Sequence, residues 1–169
     1  MAQADKMVNA DEKAVARKVR IHPLAIASIC DHYTRVSVGG SKLPKDCPVI
    51  GLLFGVQNGQ DVSIFDGTEA IYEWKDGIII LNNVEISKKK SLSTAVFTNY
   101  ELLGWYTIGP AIESFYMDIH QSMTAFNESP LFVLMHPSPQ ADSKVLPLSV
   151  YEREIHYEGG GGGGGGVPT

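Results

Sequence analysis

A chain of 169 residues, 44% hydrophobic and 20% charged, is long enough for one domain with a sizeable core and has ordinary globular composition. Its formal net charge of −5 argues against a nucleic-acid surface, which needs clustered Lys and Arg to release counterions. No apolar run approaches the roughly 20 residues that span a bilayer. The opening MAQADKMVNADEKAVARKV is polar and mixed in charge, without the apolar stretch of a signal peptide. Neither a nucleic acid nor a membrane is therefore expected as a partner.

Residues 1–17 read as a flexible N-terminal arm, and 18–158 as the folded domain. KVRIH reads as a short strand, and Pro23 suits the first position of a helix, where its missing N–H costs nothing. Ile26, Ile29, Cys30 and Tyr33 then follow at i, i+3, i+4 and i+7, one apolar stripe of that helix. VIGLLFGV at 49–56 is a continuous apolar run, as in a strand buried on both faces. Asn58-Gly59 is a strong hairpin signal, with VSIFDGTEAIYE as the return strand.

GIIIL at 77–81 predicts a further buried strand. Residues 86–100 predict a helix, with Leu92, Val96 and Tyr100 spaced four apart and the Lys88–Lys90 run as its solvated start. ELLGWY at 101–106 reads as a strand, 118–127 as a helix, and LFVLM at 131–135 as a strand. LPLSVYEREIHY at 146–157 closes the pattern as a strand. Eight glycines at 159–166 have no side chain to bury, so 159–169 reads as loop or linker. Strands and helices interspersed with a hairpin predict the α/β (α+β) class with a largely antiparallel central sheet.

The residues alone assemble no catalytic constellation. His22, His32, His120, His136 and His156 fall in no compact metal-ligand spacing, and two residues such as Asp118 and His120 do not make a zinc site. Cys30 reads as core packing on the helix stripe. Cys47, between Asp46 and Pro48, lacks the basic surroundings of an activated thiolate. Two cysteines in a chain of this size suit a reducing compartment better than a disulfide framework. There is no nucleophile elbow and no phosphate-cradling glycine loop ahead of a helix.

The frame of the chain is nonetheless familiar. IHPLAIASICDHYTR, VIGLLFG with its hairpin, and LGWYTIGP together resemble an MPN (JAMM) domain over residues 19–158. In zinc-dependent members of that family, the strand ending in GWY runs into His-x-His, then seven residues, then Ser-x-x-Asp. A Glu stands three residues before the glycine of the xxGxLxG strand. Two imidazoles and a carboxylate hold zinc, the Glu takes a proton from the bound water, and the Ser supports the oxyanion.

On this chain, the resemblance assigns the histidine positions to Thr107 and Gly109, the Ser position to Met117, the Asp position to His120, and the Glu position to Pro48. It therefore implies a pseudoenzyme without zinc ligands or cofactor. An active zinc isopeptidase built from His120, Asp118 and a remote His136 is the enzyme alternative. Non-catalytic MPN domains occur in the COP9 signalosome, the proteasome lid and translation initiation factor 3. DIH at 118–120, NESPLFVLMHP at 127–137 and LPLSVYE at 146–152 are similar to the signalosome member.

That resemblance implies a scaffold in the cytoplasm and nucleus. Its expected partners are the catalytic MPN subunit of the complex that removes Nedd8 from cullins, and the other signalosome subunits. Candidate contact faces are Ile26, Ile29, Cys30 and Tyr33 on the first helix, and Ile119, Met123 and Phe126 on the helix at 118–127. The family carries a further strand and a helical tail beyond this point, so the sequence is expected to be part of a longer chain. The strand at 146–157 is then expected to be partly unpaired at one edge, which favours self-association.

Overall fold

The structure is a computed structural model that describes residues 5–9, 17–38, 48–136 and 148–155. Its strands are β1 Asp5–Asn9, β2 Lys18–Ile21, β3 Ile50–Asn58, β4 Asp61–Glu69, β5 Tyr72–Lys75, β6 Ile78–Leu81, β7 Glu101–Ile108, β8 Leu131–Met135 and β9 Leu148–Ile155. Its helices are α1 Pro23–Ser37, α2 Asn83–Val96 and α3 Tyr116–Met123. The main sheet runs in the order β1-β9-β8-β7-β3-β4-β2, and β5-β6 form a separate hairpin. The β2–β4 and β7–β8 pairings are parallel and the others antiparallel, in line with the expected class.

α1 and α2 start where the sequence supplies a side-chain cap, whereas α3 starts after Phe115 without one. His22 Nδ1 accepts the Leu24 N–H at 3.2 Å ahead of Pro23, and Asn82 Oδ1 accepts the Glu85 N–H at 3.2 Å. The sheet separates two cores. On one face α1 buries Ala25 and Ile29 against Leu53, Ile64, Tyr106 and Val133. On the other, α2, α3 and the β5-β6 hairpin cover Ile50, Leu52, Trp105, Phe132 and Leu134.

A register shift in the β3–β7 pairing matches Leu53 with Gly104 and Phe54 with Leu102, leaving Leu103 as an extra residue. Leu103 and Trp105, two apart, therefore enter opposite cores. The bulge turns Trp105 and the end of β7 toward α3.

Several sequence expectations are corrected. Within the expected arm, Asp5–Asn9 form a strand paired with β9. β9 is thus paired on both sides, with β1 and β8, and the argument for self-association through its open edge falls away. The expected return strand at 62–73 is two strands, because Ala70 and Ile71 break the ladder before β5. The hairpin loop lies one residue beyond Asn58-Gly59. Asn58 pairs with Asp61, so Gly59 and Gln60 form the turn, with Gly59 at φ +61°.

GIIIL is not a buried central strand. It belongs to the small hairpin, turned through Asp76 and Gly77 at φ 52° and 76°, and leaves Ile78 and Ile80 exposed. α2 begins earlier and ends earlier than 86–100. Its buried residue is Ile86, while Leu92 and Val96 point to solvent. α3 spans Tyr116–Met123 rather than 118–127. The glycine run and Cys47 lie outside the described residues.

A close steric constraint stands at Gly51, opposite Tyr106 in the ladder. A Cβ there would meet the Tyr106 ring at 2.0 Å. We expect Gly51→Ala to destabilise the domain by about 3 kcal/mol, the upper range for overpacking, read as a lowered urea midpoint. An unchanged midpoint would show that the ring can move aside without cost.

Candidate functional site

The end of β7 carries two adjacent aromatic residues with opposite duties. Trp105 faces α3, where its Nε1 donates to His120 Nδ1 at 3.0 Å, and its ring stacks on Phe132 at 4.2 Å. Tyr106 faces α1, where its hydroxyl bonds His32 Nδ1 at 2.7 Å. Both histidines are buried.

The residues that follow Trp105 on the same face are Thr107 and Gly109. Thr107 is 0% exposed, and its hydroxyl interacts with that of Tyr116 without a well-aligned hydrogen bond. Burial raises the Tyr116 hydroxyl above its ordinary pKa, and the Thr107 contact partly offsets this. The Gly109 N–H donates to the Met135 carbonyl at 3.0 Å, fixing the backbone there. Met117 is half-buried on α3, packed against the core. Pro48 stands two residues ahead of Ile50, the ladder partner of Thr107, and its carbonyl accepts from the Tyr72 hydroxyl at 2.5 Å.

Chemically this end of β7 offers little. Proline and glycine side chains neither ligate a metal nor transfer protons, and the His120 Nδ1 lone pair is taken by the Trp105 indole N–H. Among the described residues, no three His, Cys, Asp or Glu side chains stand close enough to hold a metal ion.

A second polar group lies on the α1 face. His32 Nε2 is 3.7 Å from Glu69, whose carboxylate also lies 3.6 Å from Arg35, and Arg35 Nε donates to Asp31 at 2.9 Å. His32, Arg35 and Glu69 line a cleft of about 590 Å³ together with Pro48, Val49 and Tyr72. Burial is the largest cause lowering the His32 pKa below 6.5, with Glu69 opposing and Arg35 reinforcing. Burial, with Glu69 adding to it, likewise pushes the Tyr106 hydroxyl above its ordinary value.

A family model described as JAB1/Mov34/MPN/PAD-1 ubiquitin protease matches residues 14–129, more than half of the chain. The chain belongs to this family. Among curated relatives, COP9 signalosome complex subunit 6a of Arabidopsis thaliana is 34% identical over 83% of this chain and 49% of its own length. COP9 signalosome complex subunit 6 of Dictyostelium discoideum is 38% identical, over 82% and 43%. The Oryza sativa subsp. japonica subunit 6 is 32% identical, over 83% and 45%. The chain thus spans less than half the length of the curated relatives it matches.

The MPN fold brings Thr107 and Gly109 together at one strand end, with α3 supplying Met117 and His120 nearby. The enzyme alternative finds no such geometry. Asp118 is exposed, His120 is bonded to Trp105, and His136 Nε2 lies 3.2 Å from Ser149 Oγ, so the three do not converge. His22 is a helix cap, and His156 lies outside the described residues.

The expected contact faces are also redrawn. Ile29 is fully buried against its own sheet, with Ile26 and Tyr33 packed partly against the same core. Cys30 is exposed, not core packing; the inward stripe of α1 is Ala25, Ile29 and His32. Ile119 and Met123 lie in the α3 core, with Phe126 packed partly against it, so they are not a free face. Exposed apolar side chains occur instead along α2, where Val84, Leu92 and Val96 are 65%, 67% and 72% exposed.

Reading from residue types missed His32, Glu69 and Tyr116. Each is ordinary in isolation, and only the placement of His32 at i+7 from Ala25 and i+3 from Ile29 could have marked it as inward-facing. Because the folded state disfavours the charged imidazole, the unfolded chain binds more protons between the lowered His32 pKa and 6.5. The His32 contribution, fully present above that window, is lost as pH falls through it. We expect His32→Gln to flatten this part of the pH dependence relative to the native chain, measured as urea midpoints at several pH values. Identical slopes in both proteins would contradict it.

Proposed function

We propose that this MPN domain acts as a non-catalytic scaffold in a COP9 signalosome subunit. In that role it pairs with the catalytic MPN metalloprotease subunit, in the complex that removes Nedd8 from cullins and so regulates cullin-RING ubiquitin ligases. The observation that carries this reading is the content of the metal positions. Pro48, Thr107, Gly109, Met117 and His120 supply one imidazole between them, and it is engaged by Trp105. A catalytic zinc needs three protein ligands and an open position for water. The names of the relatives support membership of a multi-subunit signalosome.

A domain without chemistry contributes to such a complex through its surface. We place the pairing contact on the exposed row Val84, Leu92 and Val96 of α2, since large apolar groups at these exposures are what a subunit interface would cover. Residence in both cytoplasm and nucleus belongs to the same proposal, and imaging a tagged chain tests it.

The purified protein should hold no stoichiometric zinc and cleave neither Nedd8 nor ubiquitin conjugates. Chelator-sensitive cleavage would overturn the scaffold reading. In a pull-down from cell extract, signalosome subunits should co-purify. Recovery of proteasome-lid or initiation-factor 3 subunits would move the domain to that assembly. Leu92→Asp with Val96→Asp should leave the melting temperature nearly unchanged, as surface changes usually do, yet reduce co-purification. Undiminished recovery would exclude the α2 face.

A further inference from the structure

The degenerate metal position is filled from within the chain. A side chain begun at Gly109 would place its Cβ 3.0 Å from the Tyr116 hydroxyl, tighter than ordinary van der Waals contact. The next atoms are the Ala111 carbonyl oxygen at 3.9 Å and Leu134 Cδ1 at 4.0 Å. The hydroxyl therefore limits this volume, and the rest of the phenol does not. Tyr116 is 3% exposed and is held edge-on by Trp105 at 5.9 Å, Phe132 at 5.6 Å and Phe115 at 4.6 Å. Its hydroxyl also meets Thr107, the other histidine position.

We propose that the Tyr116 hydroxyl is the internal occupant of the lost metal position. It takes the space over Gly109 and beside Thr107 that a second imidazole would need, and closes the position to a metal ion or a scissile carbonyl. The proposal rests on the reading of 107 and 109 as vacated ligand positions. It adds that loss of the ligands alone does not describe this chain: Tyr116 and Gly109 are matched to one another, and restoring histidines without clearing the phenol would not restore a site.

A double-mutant cycle with small substitutions tests the match. Gly109→Ala should weaken the folding equilibrium in the native background and do so roughly tenfold less in Tyr116→Phe, a coupling usual for residues in contact. Equal effects in both backgrounds would overturn the proposal, because the hydroxyl would then not bound the space. For the metal, Thr107→His with Gly109→His should show no cobalt(II) absorption while Tyr116 is present and gain it when Tyr116→Ala is added. Cobalt(II) bound regardless of residue 116, or bound by neither protein, would each overturn it. Neither readout depends on a partner. An additive cycle with signalosome subunits still co-purifying would remove only the role of Tyr116, whereas a coupled cycle without those subunits would remove only the proposed function.

Discussion

Two neighbouring residues of one strand, Trp105 and Tyr106, tie both layers of this domain to its sheet. Strand alternation sends them to opposite faces, and each ends in a hydrogen bond to a buried histidine, His120 on α3 and His32 on α1. A net contribution near 1 kcal/mol is typical for such a bond, but a buried partner left unsatisfied costs about 1–3 kcal/mol. The two contacts therefore matter more for alignment than for their own strength. They set where α1 and α3 sit along β7, and the Leu103 bulge decides which face each aromatic residue meets.

This arrangement explains how an MPN frame persists with Thr107 and Gly109 at the end of β7. The helix that would present metal-binding groups is held by packing of Trp105, Phe132 and Tyr116, none of which is needed for zinc chemistry. His120, which the family resemblance aligns with a ligand position, serves the core as acceptor for the Trp105 indole. The polar group at the neighbouring cleft follows similar logic. Glu69 and Arg35 are exposed, so their ion pair is weak in water, whereas the enclosed His32–Tyr106 bond is protected from solvent.

Much of the fold was legible because local signals agreed. Pro23 after a strand, the apolar run at 49–56, and the short strand LFVLM each mark their element through period, length and turn chemistry. The errors occurred where periodicity has two answers. Ile78, Ile79 and Ile80 form an apolar run that suits a buried strand, but the Asp76-Gly77 turn places them in a peripheral hairpin. Leu92 and Val96 keep helical spacing without facing the core, since spacing marks a face and does not say what covers it.

The sequence by itself determined the class, the family frame and the residue types at the five positions that the resemblance aligns with the family's zinc site. Those depend on local spacing and on which functional groups exist at all, and no folding can give glycine or proline an imidazole. The tertiary structure alone decided which groups meet across long separations. Tyr116 over Gly109, His32 under Tyr106, and His120 against Trp105 depend on strand register, a one-residue bulge and helix packing. Shifting a strand by one residue exchanges its two faces, so these partnerships exist only once the whole sheet is in register.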